Sequence, residues 1–203
     1  MIGIYFKKVK MRNFLSVGNT YIEYDLNQKG LTAIVGKNGS GKTLLLDAIS
    51  YSLFGKSFRN CNKPLLVNSI NENNCVVELF LDINGIPYKI IRGQKPNIFE
   101  IYKNDVLIDQ DSKAKDYQTH FETNILKMNY KSFTSVVVLG SGNYVPFMKL
   151  TAQDRRDVIE DLLDIQIFSK MKTVLKEYSN DNANELRDLE RELTILDEKI
   201  RLH

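Results

Sequence analysis

Residues 36–43 read Gly-Lys-Asn-Gly-Ser-Gly-Lys-Thr, a complete match to the Walker A pattern G-x-x-x-x-G-K-[ST]. The flanks suit it. The apolar run Leu31 to Val35 is expected to form a strand leading in, and Leu44 to Phe54 a helix leading out. Glycines at 36, 39 and 41 let the backbone curl so that successive N–H groups converge on an anion. The N-terminus of the following helix adds its partial positive charge to the same place. The pattern therefore implies binding of a nucleoside triphosphate. Lys42 is expected to reach the β- and γ-phosphates as the catalytic cation, and Thr43 to ligate Mg²⁺. Gly36, Asn38, Gly39, Ser40, Gly41, Lys42, Thr43 and Leu44 form the expected cradle.

Ahead of the loop, Ile2 to Met11 and Thr20 to Leu26 are strand-like, separated by Gly18-Asn19. The helix after the loop places Leu45, Ala48, Ile49, Ser52 and Leu53 at helical spacing and is expected to stop near Gly55. Lys56 to Asn74 reads as loop with at most a short helix. Cys75 to Leu81, Tyr88 to Arg92 and Ile98 to Tyr102 read as an antiparallel meander, with turns at Asn84-Gly85 and Asn104-Asp105. Val76 to Asp82 has the outline of a Walker B strand. Glu78 interrupts it, however, and its alternation toward a hairpin marks a strand with one wet face. No other segment offers a Walker B. Lys113 to Leu126 suits a helix, and Ser135 to Leu139 a short strand.

From Thr151 the character changes. Thr151-Ala152-Gln153-Asp154 resembles an N-cap with an acidic N3 residue, and neither Gly nor Pro follows up to His203. Leu186, Leu189, Leu193, Leu196 and Ile200 are spaced 3, 4, 3, 4, the a and d positions of a heptad seam. The stripe is narrower than a helix packed on its own domain needs. Because the seam still runs at the last residue, a coiled coil continuing beyond it is expected.

The 203 residues are 43% hydrophobic and 26% charged, with a formal net charge of +3. That suffices for one core and an appendage, and is too mildly basic to argue for nucleic acid by itself. Lys7, Lys8, Lys10 and Arg12 fit either a solvated strand edge or a contact to phosphate backbone. Cys61 and Cys75 make no C-x-x-C pair, which suggests a reducing compartment. With no membrane-length apolar run and no secretory signal, a cytoplasmic protein without a membrane partner is expected.

The order of Walker A, antiparallel segment and departing coil resembles the N-terminal half of the SMC-like, ABC-class ATPases of the SbcC type. These are the ATPase subunits of double-strand-break repair nuclease complexes. Within that group the chain is similar to the recombination endonuclease large subunits of T-even-type phages. The residues that carry the likeness are Arg12 to Gly18, Gly36 to Leu53, Gly55 to Arg59, Arg92 to Asn97, Val136 to Gly140 and Tyr144 to Leu163. The resemblance implies an α/β P-loop NTPase fold. Residues 1–150 would form the N-terminal lobe of the head with its antiparallel β insert. Residues 151–203 would form a helix that leads into the coil and docks a nuclease.

It further implies ATP and Mg²⁺ as cofactors, and two heads closing on ATP. The expected partners are a second copy, an SbcD-type nuclease at the base of the coil and double-stranded DNA, in the host cytoplasm if the protein is phage-encoded. Met171, Val174, Leu175 and Tyr178 offer a nuclease-docking face, or pack against a returning coil strand. Two departures stand out. Leu15 occupies a place where the family commonly has Arg. Ser141 occupies the Q-loop position usually held by a metal-binding Gln, and is the second expected metal ligand. Lys56, Ser57, Phe58 and Arg59 are positional candidates for base or ribose contacts. Two other functions fit the same fold: an SMC-type DNA-organising ATPase, and a non-hydrolysing, ATP-gated DNA-binding scaffold.

Overall fold

The computed structural model describes residues 3–28, 30–108, 114–138, 147–163 and 165–201. The chain divides into two compact units, Met1–Leu162 and Leu163–His203.

In the first unit, one six-stranded antiparallel sheet has the order β2-β1-β3-β4-β5-β6. The strands are β1 (Ile4–Arg12), β2 (Ile22–Asp25), β3 (Cys75–Ile83), β4 (Ile86–Gln94), β5 (Ile98–Lys103) and β6 (Val106–Leu107). The meander thus extends the sheet that β1 and β2 begin. Two-residue turns set the register: Ile83 pairs with Ile86 across Asn84-Gly85, and Lys103 with Val106 across Asn104-Asp105. All four turn residues have positive φ, the twist that suits adjacent antiparallel strands. β3 alternates buried and half-buried residues and runs antiparallel to both neighbours, so it is the wet-faced strand its sequence suggested.

The helix α1 (Leu44–Phe54) packs against the inner face of the sheet, and all its residues except Leu46 are buried. Phe14, in the loop after β1, stacks on Tyr51 with ring centroids 5.5 Å apart. Gly55 ends the helix at φ +67, its N–H donating to the Tyr51 carbonyl. Beside that end, Arg92 of β4 is held in the interior. Its Nε donates to the Ser52 carbonyl at 3.0 Å and its Nη2 to Gln118 Oε1 at 2.6 Å. Its guanidinium lies 3.7 Å from the centroid of Phe99. Burial pushes this guanidinium down to about 10.

Two expected strands do not form. Residues 31–35 lie outside any strand, with Leu31 and Val35 almost wholly exposed. A strand exists by pairing, and none of the described strands pairs with this segment. Phe133–Val137, expected to be extended from Ser135, instead forms a π-helical turn. It continues α3 (Tyr130–Ser132), whose first N–H groups are capped by Asn129 Oδ1 accepting from the Ser132 N–H. The helical path propagates because no neighbouring strand competes for those backbone groups. Leu139 lies outside the described residues. The helix expected up to Leu126 splits into α2 (Ala114–His120) and a π-helical stretch, Phe121–Leu126.

α4 (Ala152–Leu163) starts as its sequence suggested, the Asp154 N–H donating to Thr151 Oγ1 at 3.2 Å. The buried Asp161 carboxylate accepts from Ser132 Oγ at 2.5 Å and also from Asn129, and Lys131 pairs with Asp154. In the second unit, α5 (Gln166–Arg201) is a continuous 36-residue helix, about 54 Å long. Each of its seam residues, from Leu186 to Ile200, is more than half exposed. No helix among the described residues is long and apolar enough to cross a membrane.

Candidate nucleotide site

The phosphate loop closes on itself before α1 begins. Gly39 and Gly41 adopt φ +83 and +88, values that side-chain-bearing residues disfavour. A Cβ on Gly36 would lie 2.6 Å from Ser40 Oγ, so a side chain there would oblige that hydroxyl to rotate away. The Leu44 N–H donates to the Gly41 carbonyl at 2.9 Å, joining loop to helix. Lys42 Nζ spans the loop, donating to the carbonyls of Gly36 at 2.7 Å and Lys37 at 2.8 Å. The Thr43 hydroxyl makes no capping bond to the helix, and an oxygen in that position is open to a cation.

This loop forms one side of a cleft of about 620 Å³, to which Asn38, Gly39, Gly41, Lys42, Thr43 and Leu44 contribute. Gly36 and Ser40 are not among its lining residues. Ser141 lies outside the described residues. The opposite side comes from elsewhere in the chain: Leu15 and Ser16 after β1, Arg59 after α1, and Leu65, Val67 and Ser69. The size suits a nucleotide, since small-ligand pockets span roughly 300–1,000 Å³.

Of the four residues that follow the helix, Arg59 alone reaches the cleft lining. Ser57 and Phe58 are buried in the fold and are not among the residues that line the cleft. Lys56 sits over the Tyr130 ring, 5.5 Å from its centroid. Arg59 is held by Asp47 of α1. Its Nε and Nη2 each lie 2.7 Å from Asp47 Oδ2, and its backbone N–H donates to Oδ1 at 3.1 Å. The hydrogen bond to Asp47 raises the Arg59 guanidinium above its ordinary range. The Asp47 side chain is wholly buried, while Arg59 is half exposed, so the carboxylate fixes the arginine where it borders the cleft. An acidic residue inside an apolar helix was the available signal for this, because a buried carboxylate demands a partner. Leu65, Val67 and Ser69 carried no signal, lying in what read as loop.

Basic residues near the chain start have partners close by. Lys8 and Lys10 each bridge Glu23 at 3.0 Å, and Arg12 donates to Asn19 Oδ1. That pattern fits the strand-edge reading.

A family model described as an AAA domain matches residues 8–201. The chain belongs to that family. Exonuclease subunit 2 of Escherichia phage RB69 is 40% identical over 192 residues, which cover 95% of this chain and 33% of the relative. The DNA double-strand break repair Rad50 ATPase of Methanocaldococcus jannaschii is 29% identical over 184 residues, covering 85% of this chain and 17% of that protein. The chain therefore spans a third or less of the length of these relatives. The solved Smc head domain with an extended coiled coil from Pyrococcus furiosus, bound to the C-terminal domain of ScpA, superposes with a TM-score of 0.60. That match covers 91% of this chain and 48% of the solved one at 21% identity, a likeness of fold. The fold of this AAA-domain chain is that of a P-loop head of the ABC/SMC kind with a long helix at its C-terminal side. Such a fold is a nucleotide-binding one.

Proposed function

We propose that this chain is part of the ATP-binding and ATP-hydrolysing subunit of a DNA double-strand-break repair and recombination nuclease complex. The observation that carries the reading is the cleft itself: a glycine-formed phosphate loop with Lys42 and Thr43, set in a chain that shares 40% identity with a phage exonuclease subunit. In this reading residues 1–150 form the N-terminal lobe of the head, and residues 151–203 lead into a coil. The N–H groups of the loop from Gly36 through Asn38, Gly39, Ser40 and Gly41, with Leu44 at the helix start, bind the phosphates of ATP. Lys42 neutralises charge on the β- and γ-phosphates. Thr43 ligates Mg²⁺, with Ser141 as a further oxygen on the metal's outer side.

The cleft supplies a cradle and a metal hydroxyl, but among the described residues it presents no carboxylate to orient an attacking water. A second part of the protein and a second head complete the site, so that ATP closes two heads together and hydrolysis releases them. The exposed apolar segment 31–35 supports this, because a sheet strand supplied from outside the described residues would bury it. Head closure then gates double-stranded DNA and an SbcD-type nuclease, for which Met171, Val174, Leu175 and Tyr178 on α5 form an exposed apolar face. The similarity to a repair ATPase and a phage exonuclease subunit favours this over a chromosome-organising role, for which the likeness is one of fold.

The chain alone is expected to bind ATP weakly and hydrolyse almost none. Lys42→Ala should weaken triphosphate binding by more than about tenfold, read by calorimetric titration, without changing the far-UV circular dichroism. Rapid turnover by the isolated chain, abolished by the same substitution, would sink the composite-site reading. Unchanged ATP affinity would remove Lys42 from its role.

A further inference from the structure

We infer that the cleft discriminates poorly between nucleobases, its nucleoside wall gripping by apolar contact from Leu15, Leu65 and Val67. The inference rests on the proposed nucleotide-binding reading and adds what that reading leaves open, the class of triphosphate accepted.

The phosphates belong over the glycine loop and the start of α1, where the N–H donors converge. The remainder of a nucleotide must then lie against the walls that the loop does not supply. Those walls are built by welding two loops together. Phe14 bridges Val67 in antiparallel fashion, the Leu15 N–H donates to the Leu66 carbonyl at 2.8 Å, and the Asn68 N–H donates to the Asn13 carbonyl at 2.9 Å. Leu15 is held by these bonds at φ +50, a conformation a branched residue adopts only when its surroundings impose it. The short 3₁₀ helix Lys63–Leu66 turns Leu66 fully into the core and leaves Leu65 two-thirds exposed beside the cleft. A large apolar side chain is thus presented where packing does not require one.

On the walls outside the phosphate loop, the amide side chains able to read a base edge are turned into the fold. Asn68 donates to the Leu15 carbonyl at 3.0 Å and accepts from the N–H groups of Ile70 and Asn71. Asn13 donates to the Asn73 carbonyl at 2.8 Å and accepts from Asn71 Nδ2 at 2.8 Å. Amides of this kind are the side chains that recognise a purine edge by paired donor and acceptor, and here both are spent within the fold. The guanidinium of Arg59 is engaged by Asp47. Apart from Arg59 and the phosphate loop's own Asn38, Lys42 and Thr43, the polar side chains lining the cleft are the hydroxyls of Ser16 and Ser69, each of which donates or accepts by rotation and so accommodates either base pattern. A site that makes no obligatory hydrogen bond to the base leaves no buried group unpaired when the base changes, and so rejects the wrong one weakly.

The test is competitive titration of the chain with ATP, GTP, CTP, UTP and inorganic tripolyphosphate, repeated on Leu65→Ser. This position is exposed, so the variant should fold as the parent does; matching circular dichroism spectra check it. The expected result is that the four nucleotides bind within about tenfold of one another. Leu65→Ser should weaken all four together by about fivefold and leave tripolyphosphate unchanged. A preference for ATP over GTP beyond tenfold overturns the inference while leaving the phosphate loop its role. Unaltered nucleotide affinity in Leu65→Ser overturns it in the same way. Failure of every nucleotide and of tripolyphosphate to bind overturns the proposed function instead.

Discussion

The two ends of α1 are built on opposite principles. At its N-terminus the helix opens into a solvent-facing cleft through a loop of glycines, and Thr43 spends no side-chain bond on capping. At its C-terminus the last carbonyls are sealed: Ser52 accepts from Arg92, Leu53 accepts from Gln118 Nε2 at 3.0 Å, and Gly55 closes the last turn. Each end carries orphan backbone groups, N–H donors at the first and C=O acceptors at the second. The chain satisfies one set internally and leaves the other for a ligand. A helix anchored at its far end and buried along its length holds its donors still, and fixed donors bind an anion without first being ordered.

Breaking the sealed end should have the larger effect. Arg92→Met removes the guanidinium and leaves buried carbonyls and the Gln118 amide short of partners. A loss of about 3 kcal/mol in unfolding free energy is expected from urea titration. A loss below about 1 kcal/mol would mean that the buried cation contributes little beyond what its own desolvation takes away.

Gly55→Ala should come next, at about 1–2 kcal/mol. The residue sits at φ +67, and a Cβ there would lie 2.9 Å from Arg92 Nη1. In an Arg92→Met background the steric part should vanish, leaving only the backbone strain; additive costs in the double variant would show that the close approach is harmless. The open end should give the smallest stability effect. Thr43→Ala at a conventional N-cap costs about 1 kcal/mol, but here no capping bond is lost, so the unfolding midpoint should barely move. Mg²⁺-dependent tightening of ATP binding should be lost in the same variant. A clear destabilisation would show that the hydroxyl serves the helix after all.

What could be read from the residues followed how local the cause was. Asn84-Gly85 and Asn104-Asp105 carry their own turn preference, so the meander and its register were visible in advance. The α1 boundaries were equally visible, because the phosphate loop and Gly55 mark them. Residues 31–35 and 135–137 are as apolar as β3, yet neither became a strand. Hydrophobicity proposes a strand, and only a neighbouring strand with free backbone groups makes one. The contacts of Arg92 and Arg59 were hidden for another reason. Each depends on which distant carbonyl or carboxylate the fold brings near, and Arg92 meets Ser52 across 40 positions of sequence. Leu65 was hidden because a residue that is apolar and exposed in a loop means little until the cleft beside it is known.

The exposed segment 31–35 has a thermodynamic consequence for the loop that follows it. The phosphate loop is tied to the fold at its α1 end, while the segment on its other side pairs with no described strand. Docking that segment against a partner strand would restrict the backbone of residues 31–36, and binding a triphosphate would restrict the adjoining residues 36–41. Whichever event comes first removes conformational freedom that the second need not remove again. The two would then be coupled, and by reciprocity the coupling would have one magnitude in both directions: a nucleotide would strengthen completion of the sheet by the factor with which sheet completion would strengthen the nucleotide.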